Sequence, residues 1–388
     1  MSTIVSFPGL GIEFPLNRVA FSIGNFEIYW YGVLIGLGLA LGIVYALKKS
    51  KEFGIDSDRM LDVIIIGTIV GVIGARLYYV VFAPAGEFTS IMDVLNMRKG
   101  GVAFYGMVIF AVLSAVITCR IRKVKLLPML DVATIGFLIG QGIGRWGNFI
   151  NQEAFGCNTR LPWGMTSDTV VSYLTNNAQM LTEKGVFVDP MMPVHPTFLY
   201  ESLWCLLGFV ILSLYVKNRK FDGEIALMYF AWNGFGRAFI EGLRTDSLYL
   251  GNVRISQVLA IVGAISAMIA ILIIRVKIRK RNDPEYLMPY GRTEQCKIDL
   301  ALIAKSRTKT DSSEAKVSEE PDGQTEMDND KEDSKEAVID EKPEITKKSN
   351  PVIPKVSNDS ISEKSKNIAK PISQKVESDS NATKKSEE

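Results

Sequence analysis

The stretch Gly140-Gln-Gly-Ile-Gly-Arg-Trp-Gly-Asn-Phe-Ile-Asn151 ends an apolar segment that begins near Leu127. The whole segment is long enough to cross a membrane as a helix. Its end carries Arg145 and three carboxamides, which are Gln141, Asn148 and Asn151. A charge within a span costs about 2.5–3.5 kcal/mol on insertion scales, so Arg145 marks a candidate functional site. An arginine that extends its side chain to the lipid headgroups is an equally open interpretation at this point.

The chain divides into an apolar part and a charged part. Long apolar runs dominate residues 1–275, and we interpret these residues as one membrane domain. From residue 276 to 388 the chain is rich in Lys, Glu, Ser, Asp and Asn, and no Phe, Trp or Tyr follows Tyr290. Such a segment buries too little apolar surface to offset its ordering entropy. We therefore expect 276–388 to be a disordered, low-complexity tail.

Cysteine and histidine usage argues against a metal centre. The four cysteines show no Cys-x-x-Cys spacing, and His195 is the single histidine. We expect neither a disulfide framework nor a metal site, and we expect no nucleic acid partner. A lone histidine beside prolines is more often a structural residue than a base.

Seven hydrophobic segments predict an all-α integral membrane protein. A window of about 19 residues finds spans near 29–47, 61–82, 101–118, 127–146, 197–216, 223–240 and 255–274. The fourth and sixth are the weakest, because they contain Asp131 and Arg237. The segment at about 148–196, between the fourth and fifth spans, contains several prolines, and we interpret it as a small extracytoplasmic head. Small residues recur at four-residue spacing and indicate close helix packing for most of these positions: Gly32/Gly36, Gly38/Gly42, Gly67/Gly71/Ala75 and Gly136/Gly140/Gly144.

Basic residues predict the orientation of the spans. Every basic cluster follows an odd-numbered span, namely Lys48–Arg59, Arg120–Lys125, Lys217–Lys220 and Arg275–Arg281. The positive-inside rule then places the N-terminus outside the cell and the tail in the cytoplasm. Residues 1–17 contain no Lys or Arg, so they do not resemble a cleavable signal peptide.

This orientation collects most of the costly charges near the outer membrane surface. Arg237, Glu241 and Arg244 share one helical face there, close to the depth of Arg145. Converging guanidinium groups suit a phosphate, although a structural Arg–Glu network explains the same residues equally well. Two function classes remain: an enzyme acting on a phospholipid, and a polytopic anion or lipid transporter. The sequence shows no inverted repeat, which favours the enzyme.

Five motifs resemble those of the prolipoprotein diacylglyceryl transferases. They are the run from Gly140 to Gly156, Tyr29-Trp-Tyr-Gly32, Gly74-Ala-Arg-Leu-Tyr78, His195-Pro-Thr-Phe-Leu-Tyr-Glu201 and Phe235-Gly-Arg-Ala-Phe-Ile-Glu-Gly-Leu-Arg244. The resemblance extends from about Phe21 to Arg275 and leaves out the tail.

The resemblance implies a bacterial plasma-membrane enzyme of lipoprotein biosynthesis. Its members transfer the diacylglyceryl group of phosphatidylglycerol to the lipobox cysteine of a prolipoprotein signal peptide and release glycerol 1-phosphate, without a cofactor. By motif position, Arg145 and Arg237 resemble the phosphate-binding pair. Their supporting, substrate-binding residues would be Tyr31, Asn148, Glu153, Glu201, Glu241 and Arg244.

One position departs from the family. Many members have a histidine, assigned as the base, in a Gly-Gly-x-x-Phe-His-Gly motif, whereas this chain has Tyr105 in Gly100-Gly-Val-Ala-Phe-Tyr-Gly106. A phenol ordinarily has a pKa of about 10 and is a poor base at neutral pH unless arginines lower that pKa. Either Tyr105 is activated in this way, or it only orients the substrate and another group takes the proton. We favour the second interpretation.

Overall fold

The computed structural model describes residues 3–84, 87–88, 90–96, 100–245, 249–250 and 253–317. It is mostly helical, with α1 to α10 at Trp30–Lys49, Ser57–Phe82, Ile91–Leu95, Phe104–Ile121, Leu126–Asn151, Asp168–Glu183, Thr197–Tyr215, Glu224–Ile240, Ile255–Arg281 and Glu294–Val317. Six of these helices, α1, α2, α4, α5, α7 and α9, are long and apolar enough to cross a membrane. The sixth predicted span corresponds to α8, which has 17 residues and is not among these six.

The prediction of an all-α protein is wrong for the N-terminus. Residues 3–29 form four strands, β1 to β4, at Thr3–Phe7, Ile12–Leu16, Val19–Ile23 and Phe26–Tyr29. Strand β1 pairs antiparallel with β2 and with the short β5 (Thr166–Ser167), so β1 is the central strand of this sheet. Two further short strands, β6 and β7, lie at Tyr249–Leu250 and Val253–Arg254. Strands of four or five residues are too short to form the long apolar runs by which membrane spans are predicted.

The N-terminal strands and α6 form a small head. Its core buries Val5 and Phe7 from β1 together with Leu174 from α6, and Phe149 at the end of α5 joins the same cluster. We call the end of the helices beside this cluster the head end. The opposite end, which carries Lys49 and Arg122 at the ends of α1 and α4, is the basic end.

Glycines allow α1 and α5 to cross closely. A Cβ atom added at Gly38 of α1 would lie 2.9 Å from the Cα atom of Gly140 in α5, and one at Gly42 would lie 3.2 Å from the carbonyl oxygen of Gly136. The packing interpretation is therefore confirmed for these four glycines. It is wrong for Gly32, Gly36 and Gly144, where an added Cβ atom would meet nothing within 4 Å among the described residues.

Helix α8 is fixed at its first turn by acidic side chains. Asp131 of α5 is fully buried and accepts hydrogen bonds from the backbone N–H groups of Gly223, at 2.8 Å, and Ala226, at 2.9 Å. Glu224 is also fully buried and pairs with Arg275 of α9 at 2.6 Å. The first N–H groups of a helix have no partner within the helix, so Asp131 serves as its cap from a neighbouring helix.

The prediction of a disordered tail is wrong for its first part. Helix α9 continues to Arg281, a 3-10 turn follows at Tyr290–Arg292, and α10 covers Glu294–Val317. The N–H group of Tyr290 donates to Asp222 at 2.8 Å, and Cys296 is buried. The average composition of residues 276–388 does not reveal these local contacts, because only a few residues make them. Residues 318–388, which the same prediction covers, lie outside the described residues.

Replacing the cap of α8 tests its contribution to stability. We expect Asp131→Ala to lower the free energy of unfolding by about 1–3 kcal/mol, because two buried N–H groups lose their acceptor. Thermal unfolding of the purified protein in detergent measures the effect. The control is Asp62→Ala, since Asp62 is partly exposed in its ion pair with Arg122 and such pairs contribute about 0–1 kcal/mol. Equal losses in both variants would contradict the prediction.

Candidate active site

Glu201 joins three arginines at the head end. Glu201 lies in the second turn of α7 and is buried. Its Oε2 atom pairs with Nε of Arg145, near the end of α5. Its Oε1 atom lies 3.3 Å from a terminal nitrogen of Arg244 and 3.7 Å from one of Arg237. The structure therefore brings together four of the residues selected from sequence, from three helices and the segment after α8.

A second carboxylate completes the cluster. Glu241 is buried and pairs with Arg237 at 2.7 Å, one helical turn away. Its backbone carbonyl accepts a hydrogen bond from Arg254, at the start of α9. Arg254 was not predicted as a site residue. The sequence marks it only as a basic residue directly before the last predicted span.

The exposure of the three arginines differs. The side chains of Arg145 and Arg237 are 29% and 35% exposed, whereas that of Arg244 is 10% exposed. Three arginines and two glutamates leave a formal charge of +1 in the cluster. Arg145 and Arg237 therefore have side-chain surface available for an anion, while Arg244 is nearly buried and pairs with Glu201.

Aromatic contacts between α5 and α7 set the position of Arg145. The indole N–H group of Trp146 donates to Ser202 at 3.2 Å, and its ring lies 5.4 Å from that of Phe198. The rings of Phe149 and Phe198 are stacked at 4.5 Å. Because these residues flank Arg145 and Glu201 in sequence, the contacts bring the two charged side chains opposite each other.

The tryptophans of α7 and α8 make a matching contact. The rings of Trp204 and Trp232 are stacked at 4.2 Å, and each indole N–H group donates at 3.0 Å to the backbone carbonyl of the other residue. Gly208 and Gly236 leave the space for the indoles, since a Cβ atom at either glycine would lie within 2.4 Å of an indole atom. This contact sets the distance between Glu201 on α7 and Arg237 on α8.

The remaining residues of the predicted supporting shell lie at the end of α5. Asn148 donates to Glu153 at 2.9 Å, and Asn151 donates to the same carboxylate oxygen at 3.3 Å. The Tyr31 ring packs on Gly147, where an added Cβ atom would lie 2.4 Å from the ring. Tyr31 is also within electrostatic range of Arg145 and Glu153. The carboxamides at the end of α5 are therefore held beside Arg145.

The structure leaves Tyr105 outside the cluster. Tyr105 lies in the first turn of α4, its side chain is 60% exposed, and its ring lies 6.1 Å from that of Phe104. Within the described ranges, no hydrogen bond or ion pair joins its hydroxyl group to an arginine. Arg76 does not reach the cluster either, because its guanidinium group donates to five backbone carbonyls of residues 93–101. Arg76 therefore binds the backbone at residues 93–96 and 100–101.

His195 belongs to a hydrogen-bonded row in the head. Its Nδ1 atom lies 3.1 Å from the hydroxyl group of Tyr200, which accepts a hydrogen bond of 2.7 Å from the indole of Trp163. Burial lowers the pKa of His195 below its ordinary value, so the imidazole is neutral at pH 7. In the part of the chain that the structure describes, no group of three or more His, Cys, Asp or Glu residues is placed to hold a metal ion.

Comparisons with known proteins identify the family of this chain. The family model described as prolipoprotein diacylglyceryl transferase matches residues 18–273. The phosphatidylglycerol–prolipoprotein diacylglyceryl transferase of Clostridioides difficile (strain 630) is 40% identical over 267 residues, which cover 69% of this chain and 97% of the relative. The protein of the same name from Finegoldia magna is 41% identical over the same shares of both chains. A third, from Limosilactobacillus reuteri (strain DSM 20016), is 40% identical over 279 residues, with 71% of this chain and 96% of the relative covered. The chain therefore belongs to the prolipoprotein diacylglyceryl transferase family.

Proposed function

We propose that this protein transfers the diacylglyceryl group of phosphatidylglycerol to the lipobox cysteine of a prolipoprotein, the first step of lipoprotein maturation. The observation that carries the proposal is the pair of partly exposed arginines, Arg145 and Arg237, held by the buried Glu201. A guanidinium group binds phosphate through parallel hydrogen bonds, so two of them suit a phosphodiester. The curated relatives named above are transferases, and nothing in their names favours the transporter alternative.

The reaction replaces a carbon–oxygen bond with a carbon–sulfur bond. The cysteine loses its proton to a base and becomes the thiolate, which is the nucleophile. The thiolate attacks the glyceryl carbon that bears the phosphate, and the electron pair of the broken C–O bond leaves with glycerol 1-phosphate. Arg145 and Arg237 stabilise the negative charge that develops on this phosphate, because their positions are fixed before the reaction.

The other site residues act through these two arginines and the substrate. Glu201, Glu241 and Arg244 hold the guanidinium groups at a fixed separation. Asn148 and Glu153 form a hydrogen-bonded pair beside Arg145, where they can contact the glycerol headgroup, and Tyr31 borders the same space. The proposed site therefore has a charged centre that binds phosphate and a polar margin that binds hydroxyl groups.

We place the site at the outer surface of the bacterial plasma membrane. The head end carries the arginine cluster, and the basic residues at the ends of α1, α4 and α9 lie at the opposite end. With seven spans, α8 being the short sixth, the positive-inside rule puts the N-terminus outside and the start of the tail in the cytoplasm. The lipobox peptide of a translocated prolipoprotein would reach the head end under this arrangement.

Removing either exposed arginine tests the proposed phosphate site. We expect Arg145→Ala and Arg237→Ala each to lower the transfer rate by at least about 100-fold, because the leaving phosphate loses preorganised charge. The assay is mass spectrometry of a lipobox peptide incubated with the purified protein and phosphatidylglycerol vesicles. The matched control is Arg160→Ala, an exposed arginine of the head, which should keep full activity. Full activity of either site variant would contradict the phosphate assignment.

Removing one hydroxyl group tests the role of Tyr105. We expect Tyr105→Phe to keep most of the transfer activity, because the hydroxyl group is exposed and does not contact the arginines. The same peptide assay, followed from pH 6 to pH 9, measures the rate and its pH profile. A loss of about 100-fold or more would instead identify the phenol as the general base, since general bases contribute at least that factor.

A further inference from the structure

Three uncharged polar side chains lie below the arginine pair, toward the middle of the helices. Gln141 precedes Arg145 by four residues on α5, and Asn233 precedes Arg237 by four residues on α8. The Gln141 side chain donates to the hydroxyl group of Tyr229 at 3.0 Å and accepts from Asn233 at 3.3 Å. All three side chains are half-buried. They form one connected group, which we call the carboxamide cluster.

The carboxamide cluster has donors left over. A carboxamide has two N–H donors, and a phenol has one O–H donor. Gln141 and Asn233 each use one donor inside the cluster, and the Tyr229 hydroxyl group serves there as an acceptor. Among the described residues, the second N–H group of each carboxamide and the Tyr229 O–H group have no acceptor. Polar groups without partners are costly at membrane depth, so a ligand or water must satisfy these donors.

The position of the cluster matches one part of a phospholipid. Four residues along a helix rise about 6 Å, so Gln141 and Asn233 lie one turn deeper than Arg145 and Arg237. In a phospholipid, the two ester carbonyl groups follow the phosphate directly on the side of the acyl chains. A carbonyl group accepts hydrogen bonds and donates none, so it complements the unpaired N–H and O–H donors of the cluster. A lipid whose phosphate contacts the arginines therefore has its ester carbonyl groups at the level of the carboxamides.

We propose that Gln141, Asn233 and Tyr229 form a subsite for the ester carbonyl groups of the lipid donor. This inference rests on the proposed function, since it takes the phosphate of the donor to lie at Arg145 and Arg237. The subsite fixes the depth of the glyceryl group. It thereby fixes the position of the carbon that the thiolate attacks relative to Arg145 and Arg237.

The sharpest test changes the ester groups of the lipid together with the residues that bind them. The donors are phosphatidylglycerol and its dialkyl ether analogue, which keeps the phosphate and the reacting carbon but lacks both carbonyl groups. The full-length protein, as wild type and as Gln141→Leu, Asn233→Leu and Tyr229→Phe, is given each donor with a lipobox peptide. The kcat/KM of transfer and the retention of each lipid in native mass spectrometry are measured. Thr68→Val is the control, because Thr68 is a half-buried polar residue of α2 that bonds only within its own helix.

We expect the wild type to prefer the ester donor, by about 2- to 10-fold for each hydrogen bond to a carbonyl group. Each cluster variant should reduce this preference by the factor of its own hydrogen bond, through a higher KM for the ester donor, while its kcat/KM for the ether donor and its retention of the ether lipid stay unchanged. The Thr68→Val control should keep the wild-type preference. Tyr229→Phe keeps the ring and its packing, so it remains informative if a leucine variant fails to fold.

Two results would overturn the subsite. One is a wild type that transfers and retains both lipids equally well. The other is a set of variants that loses the same factor with both donors, which would mean that the cluster only ties α5 to α8. A wild type that retains the ester lipid in preference to the ether lipid but forms no peptide adduct would support the subsite and contradict the proposed transferase. The two proposals can therefore fail separately.

Discussion

The contact between Glu201 and its arginines is the constraint on which the site depends. Arginines brought together from different helices repel one another, and they stay close only if carboxylates lie between them. Glu201 contacts Arg145, Arg237 and Arg244. Glu241 also contacts Arg237. Two negative charges against three positive ones leave the cluster able to bind an anion. The same contacts tie α5, α7 and α8 together at the head end.

Helix α8 shows how the rest of the fold supports this cluster. It is the shortest of the seven predicted spans, and it carries Arg237 near its end. Its first turn is fixed by Asp131 and by the pair of Glu224 with Arg275, and its middle is fixed by the contact between Trp204 and Trp232. The first turn and the middle of this helix are therefore held by specific contacts with α5, α9 and α7. Such support keeps the arginine at a defined depth.

Several features were predictable because they leave a signal in the local sequence. Long apolar runs predicted the six helices that are long enough to cross a membrane, and the four-residue spacing of glycines predicted close helix packing at Gly38, Gly42, Gly136 and Gly140. Arginines and glutamates at helix ends predicted the residues of the cluster. The strands β1 to β4 and the ordered segment around Tyr290 were missed, because short strands and isolated anchoring residues do not alter hydropathy over a long window.

The sequence by itself determined the helices, their end charges and the family motifs, since these depend on residue type and spacing along one segment. Only the tertiary structure decided which charges meet. Glu201 contacts three arginines, and Asp131 accepts hydrogen bonds from the first turn of α8. Arg76 binds backbone carbonyl groups of residues 93–96 and 100–101 and does not join the arginine cluster. The tertiary structure also left Tyr105 apart from the cluster. Contacts of this kind depend on how helices distant in sequence pack, and the spacing within one helix contains no information about its neighbours.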